Sequence, residues 1–211
     1  MDSCCETKSA ELSVLRGEHR KVLIVVLVIN AVLFVVEAGA GLLAHSTALL
    51  ADSLDMLGDS LVYGFSFYVL SRSAEWRATA AVLKGMVMAA FGIGVLAEAV
   101  YKATAAVVPV AETMGIIELL ALFGNGMCFL LLFRHRSDDL NMRSTWLCSR
   151  NDIIANLSVL LAAAGVRIFD SGWPDILVGG AIAGLFLRSA LTVLQESFAE
   201  IQKLKAESTI T

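Results

Sequence analysis

The sequence predicts an all-α membrane protein of six transmembrane helices with its N- and C-termini in the cytoplasm. Three observations predict it. Of 211 residues, 57% are hydrophobic and only 17% charged, against roughly 25% charged in soluble domains, and mean hydropathy is +0.75. The apolar residues fall into runs long enough to cross a bilayer, which takes about 20 residues each. Lysine and arginine gather in alternate connections, as the positive-inside rule requires of cytoplasmic segments.

The first twenty residues, MDSCCETKSAELSVLRGEHR, are polar and mixed in charge. They do not read as a signal peptide, which would pass from a basic stretch straight into an apolar core, so residues 1–20 are expected to be a retained cytoplasmic tail. A transport-size membrane domain follows over 21–196. Its spans run about Lys21 to Leu43, Ala48 to Leu70, Thr79 to Thr104, Met114 to Phe133, Trp146 to Phe169 and Pro174 to Leu194. Residues 197–211 read as a short cytoplasmic tail. Arg16, Arg20 and Lys21 precede the first span; Arg72 and Arg77 separate the second from the third. Arg134, Arg136 and Arg143 separate the fourth from the fifth, and Lys203 and Lys205 follow the sixth. The remaining connections, Ala44 to Thr47, Ala105 to Thr113 and Asp170 to Trp173, are poor in charge.

A net charge of −4 with no basic tail speaks against nucleic-acid binding. Cys4 and Cys5 are adjacent, and Cys128 and Cys148 lie in apolar runs, which is no disulfide framework and fits reduced thiols. Gly180 and Gly184 form a GxxxG pair, a spacing that permits close helix contact.

The second span holds the chemistry. Asp55 and Asp59 are four residues apart in an apolar run, hence one turn apart on one helix face. At about 100° per residue, Asp52, Asp55 and Asp59 fall within roughly 60° of one another, with His45, Tyr63 and Ser66 along the same stripe. On the fifth span Cys148, Asn151 and Asp152 share a face, with Asn156 at its edge. Carboxylates in lipid are costly and are tolerated when protonated, wetted or holding a cation. Such an Asp can also pair with a basic residue on another helix, for which Lys84, Arg150 and Arg188 are the candidates. Two helices each offering ligands at i and i+4, Asp55 with Asp59 and Cys148 with Asp152, could close four positions around one metal ion. Zinc accepts thiolate and carboxylate in tetrahedral sites, and a thiolate favours Zn²⁺ or Cd²⁺ over ions that prefer oxygen. Ligands must be deprotonated to bind, so metal and protons exchange. Cys128 reads as a packing residue, and His45 as a loop histidine at the mouth.

Ser46 to Asp59 reads STALLADSLDMLGD, which resembles the second transmembrane helix of the cation diffusion facilitator family, S-x-A-L-L-A-D-A-x-(H/D)-x-x-x-D. The family's last two marked positions bind metal and correspond to Asp55 and Asp59. Its fifth helix carries (H/D)-x-x-x-D, corresponding here to Cys148 and Asp152. Asn30, Glu37, Asn125 and Pro174-Asp175 also resemble family positions. The resemblance implies a secondary transporter, with no enzymatic activity and no cofactor. It would export Zn²⁺, Cd²⁺ or another divalent transition metal from the cytosol against protons, as a homodimer joined through transmembrane helices in the cell (inner) membrane. Three features depart from the family: Cys148 stands where His is usual, residues 71–79 lack a His/Asp-rich segment, and no cytoplasmic metal-binding domain follows the sixth span. Two other functions remain open on residues alone. One is a metal sensor or scaffold that binds without transport. The other is an intramembrane aspartyl protease pairing Asp55 or Asp59 with Asp152, although Leu57-Gly58-Asp59 lacks the first glycine of a GxGD motif.

Overall fold

An apolar run placed in lipid must pair its own backbone amides and carbonyls, and a single chain segment achieves this only as a helix. The computed structural model is helical accordingly. It describes the backbone of residues 17–69, 74–134 and 140–210, with side chains except at 17–20, 65–69, 74–75, 77, 140–149 and 205–210. Six helices follow in order: α1 (Gly17–Ala44), α2 (Thr47–Val69), α3 (Ala74–Ala105), α4 (Ala111–Phe133), α5 (Leu140–Phe169) and α6 (Trp173–Ile210). There is no strand among the described residues.

Five of the six, all but α2, are long and apolar enough to cross a membrane. The chain is therefore an integral, multi-pass membrane protein. The exception is α2, whose 23 residues include Asp52, Asp55 and Asp59. Helix packing explains how it bears them: α2 lies against α1, α3, α5 and α6, so much of its surface meets protein instead of lipid. The sixth helix runs on beyond the apolar stretch that ends near Leu194 and continues to Ile210 as one 38-residue helix.

Interior positions follow the 3–4 spacing of packed helices. On α1 they are Leu23, Val26, Asn30, Leu33, Glu37, Gly41 and Ala44; on α4 they are Met114, Glu118, Ala121, Gly124, Asn125, Cys128 and Leu132. Apolar residues cover the opposite faces too, with Val28, Val32, Val35, Ile116, Leu119 and Phe123 exposed. The outside of this bundle is as apolar as its inside, as lipid demands. Cys128 packs with Leu23, Val26, Val62, Tyr63 and Leu132, in keeping with a packing role.

Three connections meet at one end of the bundle. The Val110 amide donates to the Ala44 carbonyl at 3.0 Å, joining the α3–α4 connection to the α1–α2 turn. Gly172, between α5 and α6, lies so close to the Val107 carbonyl that no Cβ fits there. Asp175, in the first turn of α6, is fully buried and receives the start of α2. Its Oδ1 accepts from the Ser46 hydroxyl at 2.6 Å and the Ala48 amide at 2.9 Å, and its Oδ2 accepts from the Thr47 amide at 2.8 Å. The first amides of a helix lack intrahelical partners and favour a negative charge. Asp175 supplies both needs from another helix, and Ser46 caps locally by accepting from the Leu49 amide at 3.1 Å. This fixes α2 against α6.

Candidate metal centre

Because the starts of α2 and α4 and the ends of α1 and α5 share the connection end, α2 and α5 run antiparallel. Their register is set by a buried polar chain. The Asn125 Nδ2 of α4 donates to Asn156 Oδ1 of α5 at 2.8 Å, and Asn156 Nδ2 donates to Asp52 Oδ2 of α2 at 2.6 Å. All three residues are buried, where such groups must be hydrogen-bonded to be tolerated.

Helix geometry carries that register away from the connection end. Asp55 lies about 4.5 Å beyond Asp52 along α2, and Asp152 about 6 Å beyond Asn156 along α5, at 1.5 Å per residue. Asp59 and position 148 follow at about 10.5 and 12 Å. The two pairs read from the sequence are thus level with one another across two packed helices. Asp59 is 8% exposed; Asp55 and Asp152 are half-buried. Asp152 is near enough to Asp52, and Asp55 to Glu37, for each pair to interact electrostatically. The side chain of Cys148 lies outside the described residues, as do Cys4 and Cys5.

The expected stripe on α2 is altered at its first end. His45 is not on the helix: it is exposed in the α1–α2 turn with φ of 52°. Tyr63 is fully buried, and the Ser66 side chain lies outside the described residues. Of the three basic candidates for pairing with the acids, Arg150 and Arg188 are exposed, whereas Lys84 of α3 is buried within the bundle.

One turn nearer the connection end, the structure assembles acids that the wheel alone does not connect. Glu37 of α1, Asp52 of α2 and Glu118 of α4 each offer a carboxylate oxygen within 4.8 Å of the others. Glu37 and Glu118 are 0% exposed and Asp52 2%. Neither oxygen of Glu37 or Glu118 accepts a hydrogen bond of regular geometry among the described residues. A signal for them does exist in the sequence. Glu37 and Glu118 are the single acids within their apolar runs, 22–44 and 113–133, and an ionisable residue at such a position is a functional hint by default. What the sequence lacks is any indication that the two, from helices far apart in the chain, meet Asp52.

Compared with proteins of curated function, the sequence has no significant match. It does match the cation efflux transmembrane domain over residues 23–201, a region that takes in all six helices. With the STALLADSLDMLGD motif leading into α2 and buried acids shared by α1, α2 and α4, this establishes that the chain belongs to the cation efflux family, whose members carry metal cations across membranes and to which the cation diffusion facilitators belong.

Proposed function

We propose that the protein exports a divalent transition-metal ion, Zn²⁺ and also Cd²⁺, from the cytosol in exchange for protons, with Asp55, Asp59, Cys148 and Asp152 as the ligands of the transported ion. The observation that supports this reading is the α2–α5 register: with the Asp52–Asn156 hydrogen bond as the fixed point, the helix rise puts Asp55 and Asp59 at about the level of Asp152 and of the backbone at position 148. Four donors from two helices suit a tetrahedral ion, and one thiolate among three carboxylates tilts the site toward Zn²⁺ and Cd²⁺.

Proton exchange follows from the same donors. Carboxylates in a low-dielectric interior are stabilised by protons when the metal is absent and must give them up to bind it. A site that alternates between the two sides of the membrane would then carry metal one way and protons the other. In this reading all six helices span the membrane, α2 included, with both termini in the cytoplasm of a cell (inner) membrane. The working unit is a homodimer joined through transmembrane helices. Gly180 and Gly184 are consistent with that, since nothing lies within 4 Å of a Cβ built at either.

The test is flux in proteoliposomes with a metal panel at two pH values. Zn²⁺ uptake driven by an opposing proton gradient is expected, and loss of at least tenfold in rate in Asp59→Asn or Asp152→Asn. Unchanged flux in either variant would sink the ligand assignment. Flux that ignores the proton gradient would sink the exchange.

A further inference from the structure

We propose that Glu37, Asp52 and Glu118 form a second divalent-cation site, separate from the α2–α5 ligand pairs and built of oxygen donors alone. The geometry comes first. One oxygen from each residue lies within 4.8 Å of the other two. Two oxygens bonded to the same ion at about 2.0–2.6 Å can be no more than about 4–5 Å apart. A single ion could therefore touch all three after small side-chain movement, without any shift of a helix.

Two further observations point to a ligand. Glu37 and Glu118 are fully buried, and all four of their carboxylate oxygens lack a regular hydrogen-bond partner among the described residues. Buried carboxylates left so are costly, and three carboxyl groups this close need protons or a cation among them. Asp52 behaves differently: its Oδ2 is held by Asn156, itself oriented by Asn125. One member is thus locked by supporting amides, as metal ligands commonly are, while the other two converge on it with no hydrogen bond of regular geometry to either carboxylate among the described residues.

The donor set defines the ion class. With no thiolate or imidazole, the cluster favours ions that prefer oxygen, Mn²⁺ among the transition metals, over softer ones. It contrasts with the neighbouring set that includes Cys148. Glu37 lies seven residues before the end of α1, Asp52 five after the start of α2, and Glu118 seven after the start of α4, so the three share one level. That level is a turn closer to the connection end than Asp55. An ion here would sit in line with one held by the α2–α5 pairs.

The experiment measures Mn²⁺ bound per chain by equilibrium dialysis and elemental analysis of the purified full chain in detergent. Asp55→Asn, Asp59→Asn and Asp152→Asn are combined so that the α2–α5 pairs are disabled. This triple variant is expected to keep one Mn²⁺ ion per chain. Adding Glu37→Gln or, separately, Glu118→Gln is expected to weaken Mn²⁺ binding at least tenfold; the two variants are independent, so one that fails to fold leaves the other to decide. A triple variant that binds no Mn²⁺ would overturn the proposal, as would unchanged affinity in either Gln variant. The readout is binding and needs no flux, so failure of the transport reading leaves this result interpretable by itself.

Discussion

Asp175 holds three donors at once, the Ser46 hydroxyl and the amides of Thr47 and Ala48, although it is 128 positions from Thr47 in the chain. Replacing it with Ala leaves the first amides of α2 buried without an acceptor, at a cost of about 2–3 kcal/mol from lost capping and unmet donors. Asp175→Ala should therefore lower the melting temperature in detergent, a change that intrinsic-fluorescence melting would report. Asp175→Asn, which keeps one acceptor oxygen, should lose less. Cys148 poses a different question at this scale. As the one soft donor in the proposed α2–α5 set, it should govern ion preference more than overall rate. Cys148→Ser is expected to weaken Cd²⁺ transport several-fold more than Mn²⁺ transport in the same vesicles, and equal losses for both ions would remove the thiolate from the site. Asp55, Asp59 and Asp152 were legible in the sequence because a charge inside an apolar run stands out. Glu118 carries the same signal but no i, i+4 partner, so nothing local marks what it meets.

Helices without a hydrophobic force between them pack through close approach, and small residues make that possible. Gly179 shows it most sharply. A Cβ there would come within 2.6–2.7 Å of the Thr47 and Ala48 backbone, and backbone cannot rotate aside as a side chain can. Gly179→Ala should push α6 off the start of α2, loosen the Asp175 cap and cost about 1–3 kcal/mol. Its neighbour Gly180 has nothing within 4 Å, so Gly180→Ala should leave the thermal stability of the monomer unchanged. The two variants form a matched pair in one melting assay. At Gly124 a Cβ would meet the Leu33 side chain at 2.6 Å, which fixes how near α4 approaches α1 and so how near Glu118 approaches Glu37. The helices themselves were readable from run length. Their ends were less so: α6 outlasts its apolar stretch because Glu, Gln, Lys and Ala beyond Leu194 are good helix formers, and no proline or glycine stops it.

At the scale of the whole molecule, two ends of the bundle follow from the alternation of connections, and the polar interior lies between them. If both termini face the cytoplasm, reporters fused at each end should give the same sidedness in intact cells, and opposite sidedness would reverse the proposed topology. The sequence by itself determined the membrane setting, the number of long helices and the acids of α2 and α5. These are properties of composition and spacing, where lipid imposes helix and charge stands out against it. Only the tertiary structure decided which faces look inward, because nearly every face is apolar and hydropathy cannot tell lipid from core. It also decided the register of α2 on α5, through Asp52, Asn156 and Asn125, and the meeting of Glu37, Asp52 and Glu118. Those contacts join residues far apart in the chain, and their existence depends on helix rotation and approach distance, which no local pattern encodes.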